Sequence, residues 1–151
     1  MPHTEDHKLF GQYKKELIRD LGRDALDEAT INKVGRREFG PKWGGAVPND
    51  RVKIRPGHFY VINTSGSKGR GVHWVGGYAT SSAFYIYDSY DRPVKHLLPH
   101  LTRAIQKKGW TLGHTEHPMD QRGFTSETCG HDSIGFLMAV RDLGIRRAAL
   151  L

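Results

Sequence analysis

Apolar residues near the start of the chain recur at the spacing of an amphipathic helix, and a glycine follows as a natural helix stop. The residues on this helical face are Phe10, Tyr13, Leu17 and Leu21, and the stop is Gly22. Further along, Gly35 to Asn49 is rich in glycine and proline. This composition predicts a long loop.

The middle of the chain has the composition of β-strands, with aromatic and β-branched residues between turns rich in glycine and serine. The predicted strands are His58 to Thr64, Val72 to Tyr78, Phe84 to Asp88 and Trp110 to Thr115. This arrangement places His73 within a strand and Asp88 at a strand end. Pairing of adjacent antiparallel strands would bring the two side chains together.

Two more helices are predicted on either side of the last strand. Val94 to Lys108 has apolar positions spaced for docking on a sheet. After Thr125 to Thr128, the apolar residues again follow helical spacing, so Cys129 should begin a helix with a Ser or Thr cap. Strands in the middle with helices at both ends indicate an α+β fold.

Length and cysteine content narrow the class of protein. The 151 residues fit one domain covering the whole chain, from 1 to 151. The single cysteine excludes an internal disulfide framework and indicates a reducing compartment. No apolar run reaches membrane-spanning length, and Met1 to Asp6 lacks signal-peptide character. We therefore expect an intracellular or particle-packaged protein that is not secreted.

Four residues in separate segments have the chemistry of a cysteine-nucleophile hydrolase. A thiol is mostly protonated near neutral pH, so Cys129 needs a base, for which His73 is the candidate. Asp88 would hold the imidazole in one tautomer. The amide of Gln121 and the backbone N–H of Cys129 could donate to the oxyanion. The helix N-terminus should lower the pKa of the thiol.

The order of these segments resembles the adenovirus maturation protease family (adenain) and its wider superfamily, which includes the ubiquitin-like-protein proteases. The matching segments are Gly71-Val72-His73-Trp74, Tyr87-Asp88-Ser89-Tyr90, Gln121, Cys129-Gly130 and Phe136-Leu137. The resemblance covers roughly residues 16 to 140. It implies a papain-like arrangement, with the cysteine helix packed on a mainly antiparallel sheet.

The resemblance also implies a viral cysteine endopeptidase that cleaves capsid or core precursor proteins at Gly-containing sites during virion maturation. Its location would be the virion and the nucleus or cytoplasm of the infected cell. Trp74 and Gly130 are the candidate substrate-binding residues. Trp74 would narrow the cleft beside His73, although a core position is the commoner fate of tryptophan, and Gly130 would leave room beside the nucleophile.

The chain departs from the family pattern at three points. Its acid is Asp88, whereas the adenovirus enzymes typically use Glu, and either can orient an imidazole. The interval from Gln121 to Cys129 is one residue longer than is usual. The second cysteine, which in the adenovirus enzymes tethers an activating peptide, is missing. We therefore expect no disulfide-linked peptide and no required cofactor.

A net charge of +7 favours polyanionic partners such as nucleic acid, although solubility alone would also explain it. The family resemblance adds DNA as a potential activator. The candidate nucleic-acid contacts are Arg103, Lys107 and Lys108, near Arg92 and Lys95. Further basic residues crowd the end of the chain: Arg141, Arg146 and Arg147.

Other functions remain open at the level of sequence. A ubiquitin-like-protein isopeptidase would share the same four residues, and a non-enzymatic basic protein could bind nucleic acid with these residues coincidental. A zinc site would need ligands from His114, Glu116, His117, Cys129 and His131, whose spacing matches no recognised finger. We therefore predict no metal.

Overall fold

A five-stranded mixed sheet forms the centre of the protein. The computed structural model describes residues 4–65, 73–90, 92–113, 115 and 126–151. The strands lie side by side in chain order. Their bounds are β1 Trp43–Pro48, β2 Phe59–Asn63, β3 Trp74–Ala79, β4 Ala83–Tyr87 and β5 Thr111–Gly113.

Two strand pairings are antiparallel, β2 with β3 and β3 with β4. The two outer pairings, β1 with β2 and β4 with β5, are parallel. The α+β class is therefore confirmed, and the expectation of a mainly antiparallel sheet is wrong. Residues 49–58 connect β1 to β2 without a helix, and two helices lie between β4 and β5. Such crossover connections allow a parallel return.

Helices precede, interrupt and follow these strands. Among the described residues, none of the helices is long and apolar enough to cross a membrane. Short 3₁₀ turns cover Gly40–Lys42 and Ser126–Thr128. The helices are α1 Thr4–Leu21, α2 Glu28–Phe39, α3 Val94–Leu97, α4 Pro99–Lys107, α5 Cys129–Leu143 and α6 Ile145–Ala148.

The sheet has a hydrophobic cluster on each face. Successive side chains of a strand point to opposite faces, so Val61 and Ile62 of β2 belong to different clusters. Helices α2 and α5 cover one face, with α1 packed against α5. The other face packs on residues of α4, including Leu101 and Ile105.

Helix α5 lies close to β3 because Gly76 has no side chain. A Cβ at Gly76 would lie 3.3 Å from the carbonyl oxygen of Ser133 and against Phe136. Every residue from Cys129 to Val140 is buried. The start of α5 is therefore held firmly against β3.

The element predictions at the two ends of the chain are confirmed. Helix α1 ends at Leu21, and Gly22 follows with a φ of 82°. Cys129 begins α5, and Thr128 occupies the N-cap position, but its side chain makes no capping hydrogen bond. His73 lies directly before β3 rather than within a strand.

The expectation of a long loop over Gly35 to Asn49 is wrong, because this segment contains the end of α2 and the whole of β1. Two glycines of this segment, Gly35 and Gly44, make room for aromatic rings. A Cβ at Gly35 would lie 2.2 Å from the ring of Trp43, and one at Gly44 would lie 2.2 Å from the ring of Tyr60. Close ring packing therefore accounts for Gly35 and Gly44, whereas Gly40 and Gly45 have positive φ angles.

The single helix predicted over Val94 to Lys108 is two helices, with a break at Leu98. Proline disfavours the helical conformation in the residue before it, and α4 begins at Pro99. Leu98 accordingly has φ −131° and ψ 65°. Its side chain is nevertheless fully buried beside Leu101, so the predicted docking face is retained.

Replacing Phe136 with Ala should destabilise the fold by about 3–5 kcal/mol, the usual cost of removing a buried aromatic ring. Phe136 is fully buried and stacks on Tyr87 with ring centroids 4.7 Å apart. Urea denaturation measures the effect. Leu150→Ala is the control, because Leu150 is 45% exposed. Equal losses in the two variants would contradict the packing of α5 described above.

Candidate active site

Three of the four predicted catalytic residues converge at one end of the sheet. His73 directly precedes β3, Asp88 directly follows β4, and Cys129 is the first residue of α5. The antiparallel pairing of Gly76 with Tyr87 places the start of β3 beside the end of β4. The fold therefore joins segments that are far apart in sequence.

His73 and Asp88 form a buried pair. The imidazole Nε2 lies 2.6 Å from the Asp88 Oδ1, and the two residues are 5% and 4% exposed. If Nε2–H donates to the carboxylate, the neutral ring has Nδ1 as its proton acceptor. Among the residues that the structure describes, Nδ1 has no hydrogen-bond partner. The pair therefore presents an oriented base.

Asp88 is held by its neighbours as well as by His73. The backbone N–H groups of Tyr90 and Arg92 donate to its two carboxylate oxygens over 3.2 and 3.1 Å. The Arg92 guanidinium adds a contact of 2.8 Å. Burial opposes ionisation of Asp88, but hydrogen bonds from His73 and Arg92 outweigh it and hold its pKa well below the usual range. Asp88 is therefore a fixed anion at neutral pH.

The Cys129 thiol lies beside the backbone that follows His73. The Trp74 N–H donates to Sγ over 3.3 Å, and Cys129 is 3% exposed. The thiol and the imidazole lie on adjacent segments, without a hydrogen bond between Nδ1 and the thiol.

The helix N-terminus lowers the pKa of the Cys129 thiol through the Gly130 N–H, as expected, but the net shift of this pKa is upward. Burial raises this pKa, and it outweighs the hydrogen bonds from the Trp74 and Gly130 N–H groups. The negative charges of Asp132 and Asp88 raise it further. The thiol therefore needs a base to ionise near neutral pH.

The two candidate substrate-binding residues also fix the loop between α1 and α2. Trp74 is half-buried, and its Nε1–H donates to the Leu26 carbonyl over 3.1 Å. Gly130 is buried, and a Cβ there would lie 3.3 Å from the Leu26 side chain and near Ile31. Both residues thus have packing roles, and their contact with substrate stays a prediction.

Sequence reasoning did not assign a role to Ser133, which joins α5 to β3. Its hydroxyl lies 2.8 Å from the Cys129 carbonyl oxygen and 3.2 Å from that of Trp74. A serine four residues after the cysteine is the signal that could have found it, since these positions share a helix face.

His131 connects the same helix turn to the end of α1. Its Nε2–H donates to the Gly22 carbonyl oxygen over 2.7 Å, and the ring is fully buried. Burial lowers the pKa of His131, which keeps the ring neutral. Ser133 and His131 therefore position the start of α5 from two sides.

Arg92 has a different role from the one that its charge suggests. Sequence analysis placed it in a basic patch, whereas its guanidinium forms an ion pair with Asp88. The candidate nucleic-acid contacts Arg103, Lys107 and Lys108 lie in or directly after α4 and are exposed. They lie on the side of the sheet opposite α5.

Some predicted residues fall outside the described part of the chain. Gln121 is one of them, so its oxyanion role stays a prediction. The potential zinc ligands His114, Glu116 and His117 also fall there. Within the described ranges, no group of three or more His, Cys, Asp and Glu side chains is arranged to hold a metal ion.

Comparison with known proteins gives no family for this chain. No model of a known protein family matches it, and no curated protein matches it in sequence. The order of the motifs and the geometry of His73, Asp88 and Cys129 are therefore the features that indicate a function.

Asp88→Asn should destabilise the protein more at pH 7 than at pH 3. Because the folded pKa of Asp88 is depressed, its contribution is fully present above the unfolded pKa of about 4 and falls as pH drops toward the folded value. Urea unfolding of the wild type and the variant at both pH values measures this difference. Asp24→Asn, which removes an exposed carboxylate, should have the smaller effect at pH 7. A difference that grows on acidification would contradict the assignment.

Proposed function

We propose that this chain is a cysteine endopeptidase with Cys129 as nucleophile, His73 as general base and Asp88 as the residue that orients the base. The observation that carries the proposal is the buried 2.6 Å contact between His73 and Asp88 next to the start of the cysteine helix. A buried, ionised carboxylate bonded to an imidazole whose other nitrogen is unpartnered suits proton transfer. His131 also has a buried Nδ1 without a partner among the described residues, so it is the contact with the buried carboxylate that sets His73 apart.

The reaction begins with transfer of the Cys129 proton to Nδ1 of His73. Asp88 stabilises the resulting imidazolium through Nε2–H. The thiolate attacks the peptide carbonyl, and the imidazolium returns its proton to the leaving amine as the C–N bond breaks. Water, deprotonated by His73, then hydrolyses the thioester and regenerates the thiol.

The raised pKa of the thiol is compatible with this sequence of steps. Burial raises it by disfavouring an isolated thiolate, so the charge must form together with the imidazolium. The N–H groups of Trp74 and Gly130 then offer the thiolate two backbone donors. Substrate binding would also exclude water and strengthen the attraction between the two charges.

The papain-like arrangement and the viral role belong to the same proposal. The start of a buried helix packed on a sheet supports the arrangement, and the order His, acid, Gln, Cys supports the kinship with adenain. The substrates would be capsid or core precursors with glycine near the scissile bond, where Trp74 narrows the cleft. DNA would serve as an activator drawn by the charge of +7.

The isopeptidase alternative uses the same chemistry and differs in its substrate. The non-enzymatic alternative gives no reason for a buried carboxylate that receives hydrogen bonds from a buried histidine. Incubation with Gly-Gly peptides, ubiquitin-like precursors and virion proteins separates the three functions by the identity of the product. Cleavage of none of these substrates would favour the non-enzymatic function.

Cys129→Ala and His73→Ala should abolish peptide cleavage, a loss of at least about 10²-fold, while circular dichroism shows an intact fold. Asp88→Asn should retain part of the activity, because an amide oxygen can still accept from Nε2–H but stabilises the imidazolium less than a carboxylate does. His96→Ala, at an exposed histidine, is the matched control and should cleave normally. Wild-type turnover by Cys129→Ala would refute the mechanism.

Alkylation separates the base from substrate binding. At pH 7, His73→Ala should slow the reaction of Cys129 with iodoacetamide relative to wild type and His96→Ala, since the buried thiol loses its proton acceptor. The rate should recover as the pH rises and hydroxide ionises the thiol directly. Equal rates at pH 7 would mean that His73 does not activate Cys129.

Gln121→Ala tests the predicted oxyanion donor. Loss of one such donor typically lowers kcat by roughly 10²-fold. Alkylation of Cys129 should stay unchanged, because the amide acts on the substrate rather than on the thiol. Unaltered kcat would assign the donor role to another group.

A further inference from the structure

A cavity of about 260 Å³ lies at β1, the strand at one edge of the sheet. Strand β2 separates it from β3 and the candidate active site. A cavity of this size suits a small ligand group rather than a folded partner. The lining residues are Trp43, Gly44, Val47, Arg51, Lys53, Arg55 and His58.

The three cations of this cavity come from one segment between β1 and β2. Arg51, Lys53 and Arg55 are exposed, while the intervening Val52 and Ile54 are partly buried in the cluster on the α4 face of the sheet. The segment therefore presents a row of positive charges to the cavity.

The backbone of this segment is fixed by a buried tyrosine. The Tyr60 hydroxyl donates to the Lys53 carbonyl oxygen over 2.6 Å and accepts from the Arg55 N–H over 2.9 Å. Tyr60 is 1% exposed, and its ring lies against Gly44. The row of cations is thus built on the core of the protein.

Acidic side chains do not neutralise this row in the described ranges. None of Arg51, Lys53 and Arg55 forms a salt bridge there, although Asp50 precedes them in the chain. Lys42 lies beside the same segment, with its Nζ 3.5 Å from the position of a Cβ on Gly57. Like charges held together without a counter-charge repel one another, and an anionic ligand would relieve this repulsion.

An aromatic ring completes the cavity. Trp43 is half-buried, stacks on Phe39 with ring centroids 5.7 Å apart and donates from Nε1 to Asn32 over 3.0 Å. These contacts hold the ring in one orientation. A fixed aromatic next to a row of cations is the combination that binds phosphate groups together with a nucleobase.

We propose that this cavity is a phosphate-binding site, in which Arg51, Lys53 and Arg55 hold the phosphate groups of a nucleotide-like ligand beside Trp43. Two sources share this chemistry, a free polyphosphate anion and the backbone of a nucleic-acid strand. The exposed α4 cations Arg103, Lys107 and Lys108 are not among the residues that line this cavity. The proposal does not depend on peptidase activity, because the cavity lies at the edge strand β1 and the candidate active site lies at β3 and β4.

Two probes distinguish the sources. Calorimetry measures inorganic tripolyphosphate, and fluorescence anisotropy measures a labelled short oligothymidylate, both with the full chain at low salt. We expect the wild type to bind at least one probe, and binding to weaken as salt rises. Binding of tripolyphosphate alone assigns a free anion, and binding of the strand alone assigns nucleic acid.

The triple variant Arg51→Gln, Lys53→Gln, Arg55→Gln should weaken binding by about tenfold or more, since its lost phosphate contacts supply the affinity. These exposed side chains leave the core intact, which circular dichroism checks. The matched control replaces three exposed cations that do not line the cavity: Lys15→Gln, Arg23→Gln and Arg146→Gln.

The control variant has the same net charge as the cavity variant and should change affinity by less than about twofold if local contacts dominate. A third variant, at Arg103, Lys107 and Lys108, tests whether the strand binds at α4 instead. The proposal is overturned if neither probe binds the wild type at low salt. It is also overturned if the cavity variant loses no more affinity than the control, or if the α4 variant alone loses binding.

Discussion

The close packing of α5 against β3 determines where the thiol lies. Gly76 allows the helix to approach, and Ser133 bridges the Cys129 and Trp74 carbonyl oxygens from within it. The histidine and the carboxylate depend on a separate constraint, the antiparallel pairing of β3 with β4. Because β3 takes part in both, a shift of this strand would displace the His73 imidazole and the Cys129 thiol together.

The electrostatics of the site favour opposite states for its two acidic groups. Asp88 receives hydrogen bonds from His73 and Arg92 and stays ionised, whereas Cys129 has burial and nearby negative charge against it. Asp88 thus carries a negative charge beside the imidazole, whereas the Cys129 thiol stays protonated. A proton transfer from Cys129 to His73 forms an imidazolium, and the negative charge of Asp88 stabilises this imidazolium.

Residue order and hydrophobic spacing predicted the parts of the structure that are local. The face of α1 with its stop at Gly22, and Cys129 at the start of α5, follow from periodicity and capping patterns over a single turn or two. The segment around Gly35 and Trp43 could not be predicted in this way. Its glycines fit rings supplied by tertiary contacts, which composition alone does not distinguish from a loop.

In the candidate site, too, some features could be predicted from the sequence and others depend on tertiary packing. The meeting of His73 with Asp88 was predictable, because adjacent antiparallel strands have few pairing options. The direction of the Cys129 pKa was not, because it depends on how deeply the helix start is buried. Helix α2 was missed although Asp27 caps it by accepting from the Thr30 N–H over 2.8 Å. The ion pair of Arg92 with Asp88 was also missed, since the charge of a residue does not reveal that its partner is buried.

The burial of Cys129 has a consequence for the protein at rest. Peroxide reacts with exposed thiolates far faster than with buried thiols, so a 3% exposed and protonated Cys129 is a poor target for oxidation. Damage to sulfinic or sulfonic acid is irreversible, and this chain has no second cysteine that could trap the earlier sulfenic acid as an internal disulfide. Keeping the thiol covered until a substrate arrives would therefore lengthen the lifetime of the molecule under oxidative stress.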